Sequence, residues 1–179
     1  MKRRYRTIVA DPPWKLGTDL LRPSKQHDLT RFLWRYDQMP LAAICALDVE
    51  AYAANNAHLY LWFVPSAGEQ AYAVARAWGF VPKTILTWDK TTIGIGYYFR
   101  NNGEHVLFAV RGALRPKMRN EPSIFRARRV GHSVRPDAFF DLARRNSPGP
   151  YLELFARKPR DGWSMWGNEV KSDVVIGVR

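Results

Sequence analysis

The sequence has one cysteine, Cys45, and only four histidines. A single thiol excludes an internal disulfide. No group of Cys and His residues has metal-ligand spacing, so neither a disulfide framework nor a zinc site is expected. Cys45 falls in an Ala-rich helical pattern, where a small thiol packs as an apolar filler. Long apolar runs are also missing. No stretch approaches the roughly 18 residues of a membrane span, and the basic start Met1-Lys2-Arg3-Arg4 leads into only a very short apolar run. A cytoplasmic chain, neither secreted nor membrane-spanning, is expected. Internal repeats and low-complexity tracts are absent. Acids are scarce, 16 against 28 Lys and Arg, which leaves a formal charge of +12. A surface of that sign attracts polyanions, so nucleic acid is the leading partner.

What is present is ample core material. Apolar residues make up 46% and aromatics 13% of 179 residues, which fits one domain over 1–179 with one core. Thr7-Ile8-Val9-Ala10 reads as a buried parallel strand stopped by Asp11-Pro12. Residues 15–37 mix charge, Gly17, Pro23 and Ser24 without periodicity and read as a mobile loop. Leu41 to about Asn55 reads as a helix and His58 to Val64 as a strand. Ser66 is placed to cap a helix that Gly79 ends in the left-handed position. Val81 to Trp88 and Glu104 to Val110 read as strands on either side of a turn at Gly94 and Gly96. A helix follows Pro136 and runs to Ser147-Pro148-Gly149, and Tyr151 to Arg157 reads as a last strand. This alternation predicts an α/β sandwich with a mostly parallel sheet, whose ligands sit at the carboxyl ends of the strands.

The tetrapeptide Asp11-Pro12-Pro13-Trp14 carries the chemistry. Asp11 is pushed into an extended conformation by the proline after it. Pro12 and Pro13 lack N–H groups, so the local backbone offers carbonyl acceptors at fixed φ. An acceptor cluster beside an aromatic wall suits an exocyclic amine. Asp11 and a Pro12 or Pro13 carbonyl would take its hydrogens, while Trp14 stacks on the ring for roughly 1–3 kcal/mol. Such bonds would localise a lone pair otherwise spread into the ring, catalysis by orientation and electrostatics. Adenine and cytosine both meet that description, and either would first have to leave its stack.

Asp-Pro-Pro-Trp after an apolar strand is similar to motif IV of the amino-methyltransferases. Further blocks match in order: Arg100-Asn101-Asn102-Gly103-Glu104-His105, then His132-Ser133-Val134-Arg135-Pro136, Tyr151-Leu152-Glu153-Leu154-Phe155-Ala156-Arg157, and Trp166-Gly167-Asn168-Glu169. Together they resemble the MTA-seventy-like family of adenine-N6 methyltransferases over nearly the whole chain. The resemblance implies a Rossmann-like domain with permuted motif order, the catalytic motif first and the cofactor motif near the C-terminus. It also implies S-adenosylmethionine as cofactor, without a metal. Carried over by position, Asp11, Arg135, Glu153, Phe155, Arg157, Asn168 and Glu169 would line the cofactor pocket. Without the family, Tyr151, Glu153, Phe155 and Arg157 are one face of a strand. Arg135 stands where the family has lysine, and a planar guanidinium does not recognise anions as an ammonium does.

Between two of these blocks lies a concentrated run of charge. From Arg111 to Arg135 there are eight Lys or Arg and one acid, Glu121. Its loop, near 113–131, offers Arg115, Lys117, Arg119, Arg126, Arg128 and Arg129 as phosphate contacts, which bind a backbone rather than read bases. Phe125 is placed either to wedge beside a base or to pack beneath the loop. The chain has no evident room for a separate target-recognition module, so a second subunit or a homodimer is a candidate partner. DNA is the preferred polymer. RNA adenosine, and a non-catalytic nucleic-acid-binding subunit, are the alternatives.

Overall fold

In the computed structural model the residues described are 3–15, 38–93, 99–129 and 134–179. Residues 16–37 of the loop expected over 15–37, the turn expected at Gly94 and Gly96, and His132-Ser133 lie outside them. Seven strands form one mixed sheet: β1 (Tyr5–Ala10), β2 (Ala53–Phe63), β3 (Val81–Asp89), β4 (Gly103–Arg111), β5 (Ile124–Arg126), β6 (Tyr151–Leu154) and β7 (Trp163–Trp166), in the order β5-β3-β4-β2-β1-β6-β7. Only β4 runs against its neighbours β2 and β3, and the other pairings are parallel. The α/β architecture expected of a Rossmann-like methyltransferase is therefore present.

Alternation along the strands sorts the core into two layers. Ile8, Ala10, Leu59, Leu61, Leu107, Leu152 and Leu154 face α1 (Leu41–Ala46) and α2 (Gly68–Ala77), through Ile44, Ala71, Val74 and Ala75. Val9, Tyr60, Trp62, Val106, Phe108 and Val110 face α3 (Asp137–Asn146), through Phe139, Phe140, Leu142 and Ala143. The second layer is largely aromatic, with Phe139 meeting Tyr60, Trp62 and Phe140 edge-on at 4.7–5.8 Å.

Four local expectations need correction. The helix from Leu41 ends at Ala46 rather than near Asn55. The chain's last residues intervene, with Asp48 N–H donating to Gly177 O and Arg179 N–H to Ala46 O. β2 then begins at Ala53, opposite Tyr5, five residues before the expected start. Ser66 does not cap a helix. Pro65–Ala67 form a 3-10 turn instead, and α2 starts at Gly68 without a side-chain cap. The strand expected to be last, β6, stops at Leu154 because Phe155 takes φ +61°, a left-handed conformation that ends the pleat, and β7 follows it. Gly79, at φ +80°, does end α2 as expected.

The topology fixes the site. From β1 the chain proceeds through α1 to β2 on one side, and returns through α3 to β6 on the other, so β1 lies at the switch point of the sheet. Asp11 follows its last residue. On the same edge are the start of β4 and the ends of β2, β3, β5, β6 and β7.

Leu61 on β2 is fully buried between β1 and β4. Leu61→Ala should therefore lower the unfolding free energy by about 2–5 kcal/mol in denaturant titrations. A change below 1 kcal/mol would contradict this placement of the core.

Candidate active site

Asp11 is held by Arg135. Arg135 Nε lies 2.9 Å from Oδ2 and Nη2 lies 2.7 Å from Oδ1, a two-pronged pair with both side chains mostly buried. Arg135 comes one residue before Pro136, which precedes α3, so the pair ties the end of β1 to the start of a helix on the far layer. Its remaining nitrogen, Nη1, bonds Glu104 on β4, and its guanidinium carbon stands 4.4 Å from the centroid of the Trp62 ring. Glu104 also pairs with Lys90, just past β3, at 2.6 Å. Asp11, Arg135, Glu104 and Lys90 thus form a line of alternating charges over Trp62 and Trp88, which meet edge-on at 6.1 Å. Glu104 belongs to a matched block but is not among the expected site residues, and nothing in the sequence pattern singles out Lys90. Only the tertiary pairing reveals them.

The proline turn is built differently from the expected one. Trp14 is buried, and its indole N–H donates to Trp62 O at 3.0 Å. The ring therefore anchors the turn to the core instead of standing as a stacking wall, because its N–H finds a backbone acceptor there and its apolar surface leaves water. Nor are the proline carbonyls idle. Pro12 O accepts from Trp14 N–H at 2.9 Å and Pro13 O from Met39 N–H at 2.8 Å. Each keeps one lone pair.

On the other side of β1, the matched C-terminal blocks converge on the ends of β6 and β7. Glu153 faces the α3 layer, Phe155 meets Trp166 edge-on at 5.2 Å, and Arg157 Nε lies 3.9 Å from Glu169 Oε1. Asn168 and Glu169 are exposed after Gly167. Gly167 packs so closely on Ala156 that an added Cβ would collide with that residue's backbone. The left-handed turn at Phe155 means that Glu153, Phe155 and Arg157 do not share one strand face. They surround a strand end. Carboxylates, an amide, a guanidinium and two aromatic rings here match the donor and acceptor needs of a nucleoside bearing an amino-acid tail, so the residues present fit S-adenosylmethionine.

Burial pushes the Glu153 carboxyl up to about 7, with Asp11 adding to the rise and Arg160, 3.4 Å away, opposing it. Arg160 in turn binds Asp137 at 2.7 Å and lies over the Phe140 ring. Because this folded-state value lies above that of the unfolded chain, the associated stability is fully present below about pH 4.3 and is lost as pH rises through 7.

The basic segment divides. Leu114 O accepts from His58 Nε2 and Lys117 N–H donates to Asn146 O, so Arg115 and Lys117 lie at the amino edge of the sheet, opposite Asp11. Arg126, Arg128 and Arg129 stand at or just past the end of β5, on the Asp11 edge. All six predicted contact residues, Arg119 included, are exposed, although Arg126 also pairs with Asp89 at 2.9 Å. Phe125 packs on Phe139, centroids 6.0 Å apart, and leaves no wedge for a base. Among the described residues no metal-binding group of three acids, histidines or cysteines occurs, and no helix is long and apolar enough to cross a membrane.

The MT-A70 family profile matches residues 5–169. The chain belongs to the MT-A70 family. It is similar to the type II methyltransferase M.MunI of a Mycoplasma species, at 28% identity over 97% of this chain and 81% of that protein. It is also similar to the human N(6)-adenosine-methyltransferase catalytic subunit METTL3, at 24% identity over 93% of this chain but 28% of that protein. A Medicago truncatula MT-A70-like protein, named a putative N(6)-adenosine-methyltransferase, is 24% identical over 93% of this chain and 26% of its own length. The chain spans only about a quarter of these plant and animal relatives. The protein is thus a member of an N6-adenine methyltransferase family.

Glu153→Gln cannot ionise and should escape the alkaline loss of stability. Between pH 4.5 and 8 the unfolding free energy of the variant, relative to the parent, should rise by about 2–3 kcal/mol. Denaturant unfolding at both pH values measures this, and a constant difference would contradict the buried placement of Glu153.

Proposed function

We propose that this MT-A70 chain transfers a methyl group from S-adenosylmethionine to the exocyclic N6 amine of adenine in DNA. The observation that carries the reading is the position of Asp11: a carboxylate at the sheet's switch point, between the matched blocks at the ends of β6 and β7 and the cationic edge formed by Arg126, Arg128 and Arg129. DNA is favoured because the likeness that covers most of both proteins is to the type II methyltransferase, whereas most of each adenosine enzyme lies outside the match.

Asp11 keeps acceptor capacity while paired. A carboxylate has about four lone-pair sites, and Arg135 uses two. The amine hydrogens would be taken by Asp11 and by the second lone pair of a Pro12 or Pro13 carbonyl. That grip holds the nitrogen lone pair out of conjugation and aims it along one line. Trp14 acts by locking the turn to β2 through Trp62 O. Glu153, Phe155, Arg157, Asn168 and Glu169 would hold the cofactor, with Arg135 and Asp11 at its reactive end. When bound, the cofactor would supply an electrophilic methyl on a sulfonium: the N–C bond would form as the S–C bond breaks to leave a neutral thioether, and the proton shed by the amine would pass to solvent. Arg115, Lys117 and Arg119, with the cations after β5, would bind phosphates in a reducing cytoplasm, either in a single chain or beside a second subunit.

One observation favours a second reading. Arg135 already occupies Asp11, as it could remain in a subunit that binds nucleic acid without acting on it. Asp11→Asn separates the two. Under the enzymatic reading, labelled methyl transfer falls about 100-fold or more, while cofactor affinity measured by calorimetry changes little. Unchanged turnover would remove Asp11 from the chemistry, and no cofactor binding by the parent protein would favour the binding subunit.

A further inference from the structure

Lys90 closes the line of charges that begins at Asp11, yet it touches neither Asp11 nor the matched cofactor blocks. Its backbone N–H donates to Asn102 O at 2.8 Å, which fixes it where β3 and β4 part. Its ammonium lies 2.6 Å from Glu104 Oε1 and 5.7 Å from the Trp88 ring centroid, with only 16% of the side chain exposed. The neighbours facing it are Glu104 and His105 from β4, Trp88 from β3, Arg129 after β5 and Arg135 before α3. Glu104 is the one acid in that set.

The four side chains carry two positive and two negative charges, and each is at most 20% exposed. Balance matters there, because a mostly buried charge left without its partner is costly. With Lys90 in place, Glu104 divides its oxygens between Lys90 and Arg135, and Arg135 gives Nε and Nη2 to Asp11. Without Lys90, two carboxylates would compete for one guanidinium, and Glu104 would draw Arg135 off the geometry that orients Asp11.

We propose that Lys90 is a positioning residue for methyl transfer: by holding Glu104 it sets Arg135, and through Arg135 the orientation of the Asp11 carboxylate. This rests on the methyltransferase reading above. It differs from a stability role in what it changes, since a misdirected Asp11 slows the chemical step without loosening the cofactor or the nucleic acid. It also predicts a pH signature. Burial, with the Arg129 and Arg135 cations adding to it, brings the Lys90 ammonium down to about 8. Turnover then declines as pH rises past that value and the ammonium is lost.

The test compares the parent chain with Lys90→Met and Lys90→Arg, using labelled S-adenosylmethionine and an adenine-containing DNA duplex. Thermal unfolding checks that each variant is folded. In Lys90→Met, kcat should fall about 10- to 100-fold, as misplacement of a reacting group by an ångström or less would cause. KM for DNA and Kd for the cofactor should stay within about twofold, a change near the noise of such measurements. Lys90→Arg should restore most of kcat and remove the alkaline decline, because a guanidinium keeps its proton throughout the range. The proposal is overturned if Lys90→Met turns over like the parent, if KM or Kd carries the loss, or if Lys90→Arg is no better than Lys90→Met. Absence of transfer by the parent chain would overturn the methyltransferase reading and this one together, so the two failures are distinct.

Discussion

The ion pair between Asp11 and Arg135 fixes how the end of β1 meets the start of α3, which already share an apolar layer. Asp11 ends a strand at the centre of the sheet, and Arg135 precedes a helix that packs on the far layer. Their oppositely charged atoms approach to 2.7 Å while more than four fifths of each side chain is withdrawn from water. Attraction at that range is strong in a partly buried site, of the order of several kcal/mol before desolvation is subtracted. Much of it is cancelled by that desolvation. What survives is geometric. The pair orients the carboxylate, pins the start of α3, and through Glu104 and Lys90 draws β3 and β4 to the same point.

The proposed cofactor side depends on backbone more than on charge. Phe155 turns left-handed immediately after β6, and Gly167 lies against Ala156 where no side chain fits. These two features end neighbouring parallel strands in step, so Glu153, Arg157, Asn168 and Glu169 are displayed around a strand end rather than along a strand. The same edge carries Arg126, Arg128 and Arg129. The amino edge, about nine residues away along β4, carries Arg115 and Lys117. Positive charge therefore reaches both ends of the sheet.

Much of this was legible in the residues. A short β-rich run stopped by Asp-Pro places Asp11 at a strand end, the apolar alternation gives the layered sheet, and the ordered blocks identify the family. Most of the differences arise from tertiary contact, and one from a local backbone turn. Trp14 looks like an exposed wall until Trp62 O is found to accept its N–H. The helix at Leu41 continues in the periodicity, but the C-terminal residues cross it and end it at Ala46. Tyr151 to Arg157 keeps a strand pattern past Leu154 because nothing in a Phe codon-by-codon reading announces a positive φ. Lys90 and Glu104 are 14 positions apart in sequence and become a pair only when β3 folds back on β4.

The central claim is that Asp11 and its proline turn select an exocyclic amine, and that the amine belongs to adenine. An acceptor cluster alone would serve cytosine equally well. Mass spectrometry of nucleosides from DNA incubated with the purified protein and labelled S-adenosylmethionine tests this most directly. The account predicts that the label resides in N6-methyladenine. Label in N4-methylcytosine, or in no nucleoside of a preparation that binds the cofactor, would contradict it.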